Sequence, residues 1–103
     1  MAIADRNYFD WAELPEAPSE LGAARKSSDV ELNWKMHEGN PTFVSVERRD
    51  GRTEPWHLVS KLPGNATSYS DGTAISGGKV SYRVRAGNSS GGSAYSNVAT
   101  LTQ

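Results

Sequence analysis

The chain has 103 residues and a mass of 11.1 kDa, enough for one domain of common size and too short for a second beside it. It contains no cysteine, which excludes a disulfide framework, a thiolate metal site and a cysteine nucleophile. Eleven basic residues against twelve acidic ones leave a net charge of −1 and a pI near 6.1, with no block of like charge to grip phosphates, so nucleic acid is not an expected partner. No apolar run approaches the length of a membrane span, and residues 1–30 lack the basic start and apolar stretch of a signal peptide, so no membrane insertion is expected.

Charge is unevenly spread along the chain. Residues 1–20 hold Asp5, Asp10, Glu13, Glu16 and Glu20 against Arg6 alone, net −4, so the remainder carries net +3. Residues 1–14 read as an acidic, aromatic arm with Tyr8, Phe9 and Trp11, and residues 15–103 as the folded domain. Glycine, proline, serine, threonine and asparagine punctuate short apolar stretches, the pattern of an all-β chain.

An initial strand is expected around residues 21–25, with Leu21 inward. From residue 29 the alternation is plain: Val30, Leu32, Trp34 and Met36 point one way, and Glu31, Asn33 and Lys35 the other. Gly39-Asn40-Pro41 closes this strand. In the next run, residues 43–49, Val44 and Val46 face the core while Phe43, Ser45, Glu47 and Arg49 face out. Asp50-Gly51 predicts a two-residue hairpin turn, since positive φ is needed at both central positions. The following strand, residues 56–61, therefore pairs antiparallel with its predecessor, and Pro55 at its start places it at a sheet edge. Leu62-Pro63-Gly64-Asn65 is a turn and residues 67–71 a short strand. Residues 80–86 form the second clear alternation, with Val80, Tyr82, Val84 and Ala86 inward and Arg83 and Arg85 outward. Residues 95–102 supply the last strand. Seven strands in about 85 residues is the spacing of a two-layer sandwich.

The run Pro15-x-x-Pro18-Ser19-x-Leu21, then Val30-x-Leu32-x-Trp34, Val46-Glu47-Arg48, Thr67-Ser68-Tyr69-Ser70-Asp71, Tyr82-Arg83-Val84-Arg85-Ala86-Gly87-Asn88 and Gly92-Ser93-Ala94-Tyr95-Ser96-Asn97 resembles a fibronectin type III domain of the bacterial and phage kind. The resemblance covers residues 15–102. It implies an all-β, immunoglobulin-like two-sheet sandwich of seven strands, A-B-E against C′-C-F-G, behind an N-terminal extension, with Trp34 as the core tryptophan and Ala99 and Leu101 inward on the last strand. It carries no catalytic residues or cofactor, and its implied roles are spacing, adhesion and protein binding. One departure stands out: the family often ties the E–F corner with a tyrosine where this chain has Val80. The corner is then expected to rest on Leu62 and the Pro63-Gly64 turn.

The search for chemistry yields no constellation. His37 and His57 are not in metal-ligand spacing, and no serine is singled out by a nearby base and acid. Residues 72–79 fail as a phosphate loop because Gly78 occupies the lysine slot. The chain reads as a non-enzyme with no cofactor and no metal. The outward face with Phe43, Glu47, Arg83 and Arg85 reads either as a partner-binding surface with arginine and aromatic anchors or as an ordinary charged sandwich face, and the second is preferred. A Glu47–Arg83 pair across the strands is expected to contribute only a fraction of a kcal/mol. Trp56 either stacks on a sugar ring or packs at the sheet edge, and packing is preferred.

Two settings follow. In the first, the chain is a structural module displayed on a bacteriophage virion surface as a decoration or attachment protein, anchored partly by its arm to capsid, tail or other assembly subunits. In the second, it is a spacer or adhesion module of a secreted bacterial enzyme or surface protein, extracellular and in reach of carbohydrate.

Overall fold

The computed structural model describes residues 14–51, 55–74 and 78–102; Tyr8, Phe9 and Trp11 lie outside the described residues. Eight β-segments are present among those described: β1 (Ser19–Lys26), β2 (Asp29–Lys35), β3 (Phe43–Asp50), β4 (His57–Pro63), β5 (Ser68–Asp71), β6 (Lys79–Asn88), β7 (Gly91–Gly92) and β8 (Ala99–Thr102). One sheet has the order β1-β2-β5. The other has the order β4-β3-β6-β7, with β8 also pairing along β6. All pairings are antiparallel. These are the two sheets that the resemblance implies, with a two-residue segment, β7, added ahead of the last strand, β8.

The core forms where the inward positions of the two sheets meet. Val30, Leu32 and Trp34 project from β2, Val44 and Val46 from β3, and Val80, Tyr82, Val84 and Ala86 from β6, joined by Leu21, and all are buried. Each spacing is two residues, so one pleat drives every apolar side chain into the same layer. Trp34 is 5% exposed and its indole N–H donates to the Ala66 carbonyl at 3.0 Å, which satisfies the ring's polar atom inside the core.

Two connections differ from expectation. Asp50-Gly51 is not a two-residue hairpin turn. Asp50 ends β3 paired with Val80, and the Gly51 N–H, at φ +80°, donates to the Lys79 carbonyl at 2.8 Å. β4 begins only at His57, opposite Arg48. The two strands are antiparallel neighbours as predicted, but Asp50 stays extended and paired with Val80, so it lacks the positive φ that the tight turn needs. Two-residue turns lie instead at Ser27-Ser28, between the paired Lys26 and Asp29, with Ser27 at φ +58°, and at Ser89-Ser90, between the paired Asn88 and Gly91.

The last strand is also shorter than residues 95–102. Between β7 and β8, the side chains of Ser93 and Ser96 take over the ladder: their hydroxyls accept the N–H groups of Ala86 and Val84 at 3.0 and 3.1 Å, while their own N–H groups donate to the carbonyls of the same residues. Asn97 then bridges to β1, accepting from the Leu21 N–H at 2.9 Å and donating to the Leu21 carbonyl at 3.0 Å. The bridge meets β1 at a bulge, where Glu20 sits at φ +55° and the register shifts between Ser19 and Gly22. Ala99 and Leu101 pack against the core and Val98 is half-exposed.

Candidate functional site: a cation–aromatic stack on the outer sheet face

Two polar networks lie on opposite faces of β3 and β6. The inner one was not legible from motifs. Arg48 follows Val44 and Val46 on the inward parity of β3, and its Nη1 donates to Asp71 Oδ2 at 2.7 Å. Asp71 is completely buried. It also accepts from the Tyr82 hydroxyl at 2.8 Å, the Thr73 hydroxyl at 2.6 Å and the Thr73 N–H at 2.9 Å, so both carboxylate oxygens are satisfied. Arg48 Nε completes the set on Asp50 at 3.0 Å. Burial works to raise the Asp71 carboxyl's affinity for protons, but the Thr73, Arg48 and Tyr82 hydrogen bonds outweigh it and hold it below the usual aspartate range. Burial likewise pulls Arg48 down and is outweighed by Asp71 and Asp50, whereas burial and the Asp71 bond both push the Tyr82 phenol up.

This network corrects the expectation for the E–F corner. Leu62 does pack against the core, but the polar tie that the missing tyrosine would supply comes from Asp71, the last residue of β5, which clamps Thr73 in the following loop to Tyr82 on β6 and Arg48 on β3. The readable signal is parity: Arg48 shares the face of two core valines, so its guanidinium needs a polar partner there.

The outer face gathers most of the residues singled out for partner binding. Phe43, Trp56, Arg83 and Arg85 are each half-buried, and they are joined by Arg49, Lys61 and Tyr95. Guanidinium groups and rings alternate. Arg49 lies 5.0 Å from the Trp56 ring centre, Arg83 lies 4.4 Å from Trp56 and 3.7 Å from Tyr95, and Arg85 lies 4.7 Å from Tyr95. Each such contact contributes on the order of 0.5–1 kcal/mol where exposed and more where desolvated. Glu47 fixes the centre. It sits directly across from Arg83, takes Nε and Nη2 of that residue at 2.9 and 2.8 Å, and accepts the Tyr95 hydroxyl at 3.0 Å. The predicted pair is present, and it is a half-buried junction rather than a solvated surface pair, because Trp56 and Tyr95 cover Arg83.

At one end of the sheet the Phe43 ring lies across Gly87, its direct partner, with Lys61 Nζ 4.2 Å from the ring centre. A β-carbon at Gly87 would clash with the Cζ edge of the ring, so the missing side chain is what lets the phenyl group lie across the strand. Beneath this layer Ser45 is buried although it belongs to the outward parity of β3, between its cross-strand partners Lys61 and Arg85. Leu58, opposite Glu47 on the same face, is 57% exposed. The sequence places Tyr95 in the last strand; in the structure it stands in the segment between β7 and β8, where no period-two pattern predicts its direction. Among the described residues no group of acids and histidines is arranged to hold a metal ion.

No family model and no curated protein sequence matches the chain. Solved structures do. A titin fragment, domains A168–A170, superimposes with a TM-score of 0.77 at 22% identity over 87% of this chain and 32% of that one. An Fn3-like protein from Clostridium thermocellum gives 0.73 at 26% identity, over 85% of this chain and 92% of the other. Pectate lyase Pel3 from Pectobacterium carotovorum gives 0.72 at 19% identity, over 84% of this chain and 27% of the enzyme. The chain thus spans about a third of the titin fragment and nearly all of the clostridial protein. It has a fibronectin type III fold.

Proposed function

We propose that this fibronectin type III fold is a non-catalytic docking module, carried on a larger assembly, that engages a protein partner through the outer face of β3, β4 and β6. The observation that carries the reading is the stack Arg49–Trp56–Arg83–Tyr95–Arg85, locked at its centre by Glu47. Ordering a free arginine or aromatic side chain on binding costs about 0.5–1.5 kcal/mol each. Here that ordering precedes binding. Tryptophan, tyrosine and arginine are also the residue types that dominate interface energetics, and exposed Leu58 adds an apolar contact beside them. The setting proposed is a bacteriophage particle surface, with residues 1–14 as an additional anchor, where assembly brings a cysteine-free sandwich into the medium.

A second setting, a spacer beside a catalytic domain of a secreted bacterial enzyme, is favoured by one observation: the pectate lyase neighbour carries this fold over about a quarter of its length. Sedimentation of material from the producing cells, followed with an antibody to the sandwich, separates the two. The docking reading expects the chain to travel with particles of far greater mass than 11.1 kDa, and the W56A/R83A double variant to be released from them. Recovery of the domain only at its own mass, or only within a polypeptide that also carries a hydrolase, refutes the assembly reading.

A further inference from the structure

We infer that the outer face has an occupant within the same chain: residues 7–13, Asn7-Tyr8-Phe9-Asp10-Trp11-Ala12-Glu13, dock along the cation–aromatic stack of their own molecule. The inference rests on the docking reading of that face and names what sits there before an external partner does.

Place comes first. The described chain begins at Leu14, whose side chain lies beside Gly91: a β-carbon there would come 3.4 Å from Leu14 Cδ2. Gly91 belongs to β7, the two-glycine strand at the edge of the larger sheet. Its neighbour Gly92 is overlaid from the outer side by Arg85, with a β-carbon there falling 3.0 Å from Arg85 Nε. The segment before Leu14 is therefore tethered one glycine away from the end of the stack, across an edge that carries no side chains.

Charge and length agree with that position. Among the described residues the outer face presents Arg49, Arg83, Arg85 and Lys61 against the single carboxylate of Glu47, which Arg83 and Tyr95 already occupy. Arg49 and Arg85, at the two ends, pair with no carboxylate among the described residues, and the Nε of each is buried without a hydrogen-bond partner. Residues 7–13 bring Asp10 and Glu13 with no base, interleaved with three aromatic rings. Carboxylates suit the two unpaired guanidinium groups, and rings suit the open faces of the stack and exposed Leu58. Seven extended residues reach about 23 Å. The stack, from Arg85 to the level of Ser81 opposite Arg49, runs four residues along β6, about 13 Å.

The absence of native cysteine gives a clean test in the full chain. Asn7→Cys carrying a nitroxide spin label should enhance amide relaxation at Ser81, Arg83 and Arg85 several-fold over Glu31 and Ser70, which lie on the other sheet. The enhancement should be unchanged on dilution and lost in the D10N/E13Q variant, whose sandwich sequence is untouched. Enhancement that disappears on dilution would assign the face to the segment of a second copy and overturn the inference, as would equal enhancement on both sheets. Either failure leaves the particle-sedimentation test of the docking module unaffected, so the two readings fall separately.

Discussion

Asp71→Asn is the substitution that best measures how the fold is held. The side chain is completely buried and accepts four hydrogen bonds, two of them from Thr73, one from Arg48 and one from Tyr82. The amide keeps the volume, removes the charge, and turns one acceptor into a donor that faces other donors. Breaking a buried ion pair from one side costs about 3–5 kcal/mol. Arg48 keeps Asp50 at 3.0 Å, which places the expected loss near the lower end, about 3 kcal/mol. For a domain of this size that is a fall in Tm of roughly 12–24 °C, read by circular dichroism with urea titration as the second measure. The pH dependence follows from the lowered carboxyl: its contribution is complete above the unfolded aspartate value, near pH 4, and is lost as pH falls toward the folded value. The wild-type and Asn proteins should therefore differ most near neutrality and converge in acid. A Tm within 2 °C of wild type, or a gap that widens as pH falls, would refute the assignment of Asp71 as the charged centre of the inner face.

Three further substitutions probe separate elements. Trp34→Ala removes a ring that is 5% exposed and should cost about 3–5 kcal/mol in chemical denaturation; unchanged unfolding would remove Trp34 from the core. Gly87→Ala drives a β-carbon against the Cζ edge of the Phe43 ring and should cost about 1–3 kcal/mol as overpacking. A double-mutant cycle with Phe43→Ala should recover most of that loss, and strict additivity would show that the ring does not lie over Gly87. Asn97→Ala leaves the N–H and carbonyl of Leu21 without their bridge and should cost about 1–3 kcal/mol, with faster amide exchange at Leu21 as its local signature; slow exchange there would show that β1 is held by other contacts.

Much of the sandwich was readable because its signal is a period of two. The inward sets Val30–Leu32–Trp34 and Val80–Tyr82–Val84 face one layer, and the Glu47–Arg83 pair follows from placing two such strands side by side. The connections were harder. Asp50-Gly51 carries the strongest short hairpin signal in the chain, yet pairing with Val80 holds Asp50 in its strand, so a long-range ladder overrides a local turn preference. Tyr95 was equally hidden, since the serines on either side replace strand hydrogen bonds with side-chain ones, and such a segment has no fixed alternation. Asp71 and Arg48 are 23 residues apart in sequence and 2.7 Å apart in space. Only the inward parity of Arg48 hinted at that, and parity names the need for a partner without naming the partner.

The two faces of β3 and β6 depend on one another through register. Arg48 and Arg49 are adjacent in sequence, as are Tyr82 and Arg83, and in each pair one residue serves the buried network and the other the outer stack. A slip of either strand by one residue would exchange the faces, placing Arg49 and Arg83 among the core valines and taking Arg48 away from Asp71. Valines alone would penalise that slip through lost burial, but a neighbouring residue of similar shape can partly refill an apolar layer. A buried carboxylate that demands one guanidinium and one phenol cannot be refilled in that way, so the Asp71 network specifies register more strictly than packing does. The outer stack inherits this precision. Glu47 stands opposite Arg83 only in the register that Asp71 enforces, and the spacing of guanidinium groups and rings that a partner or the N-terminal segment would meet is set from the inside of the sandwich.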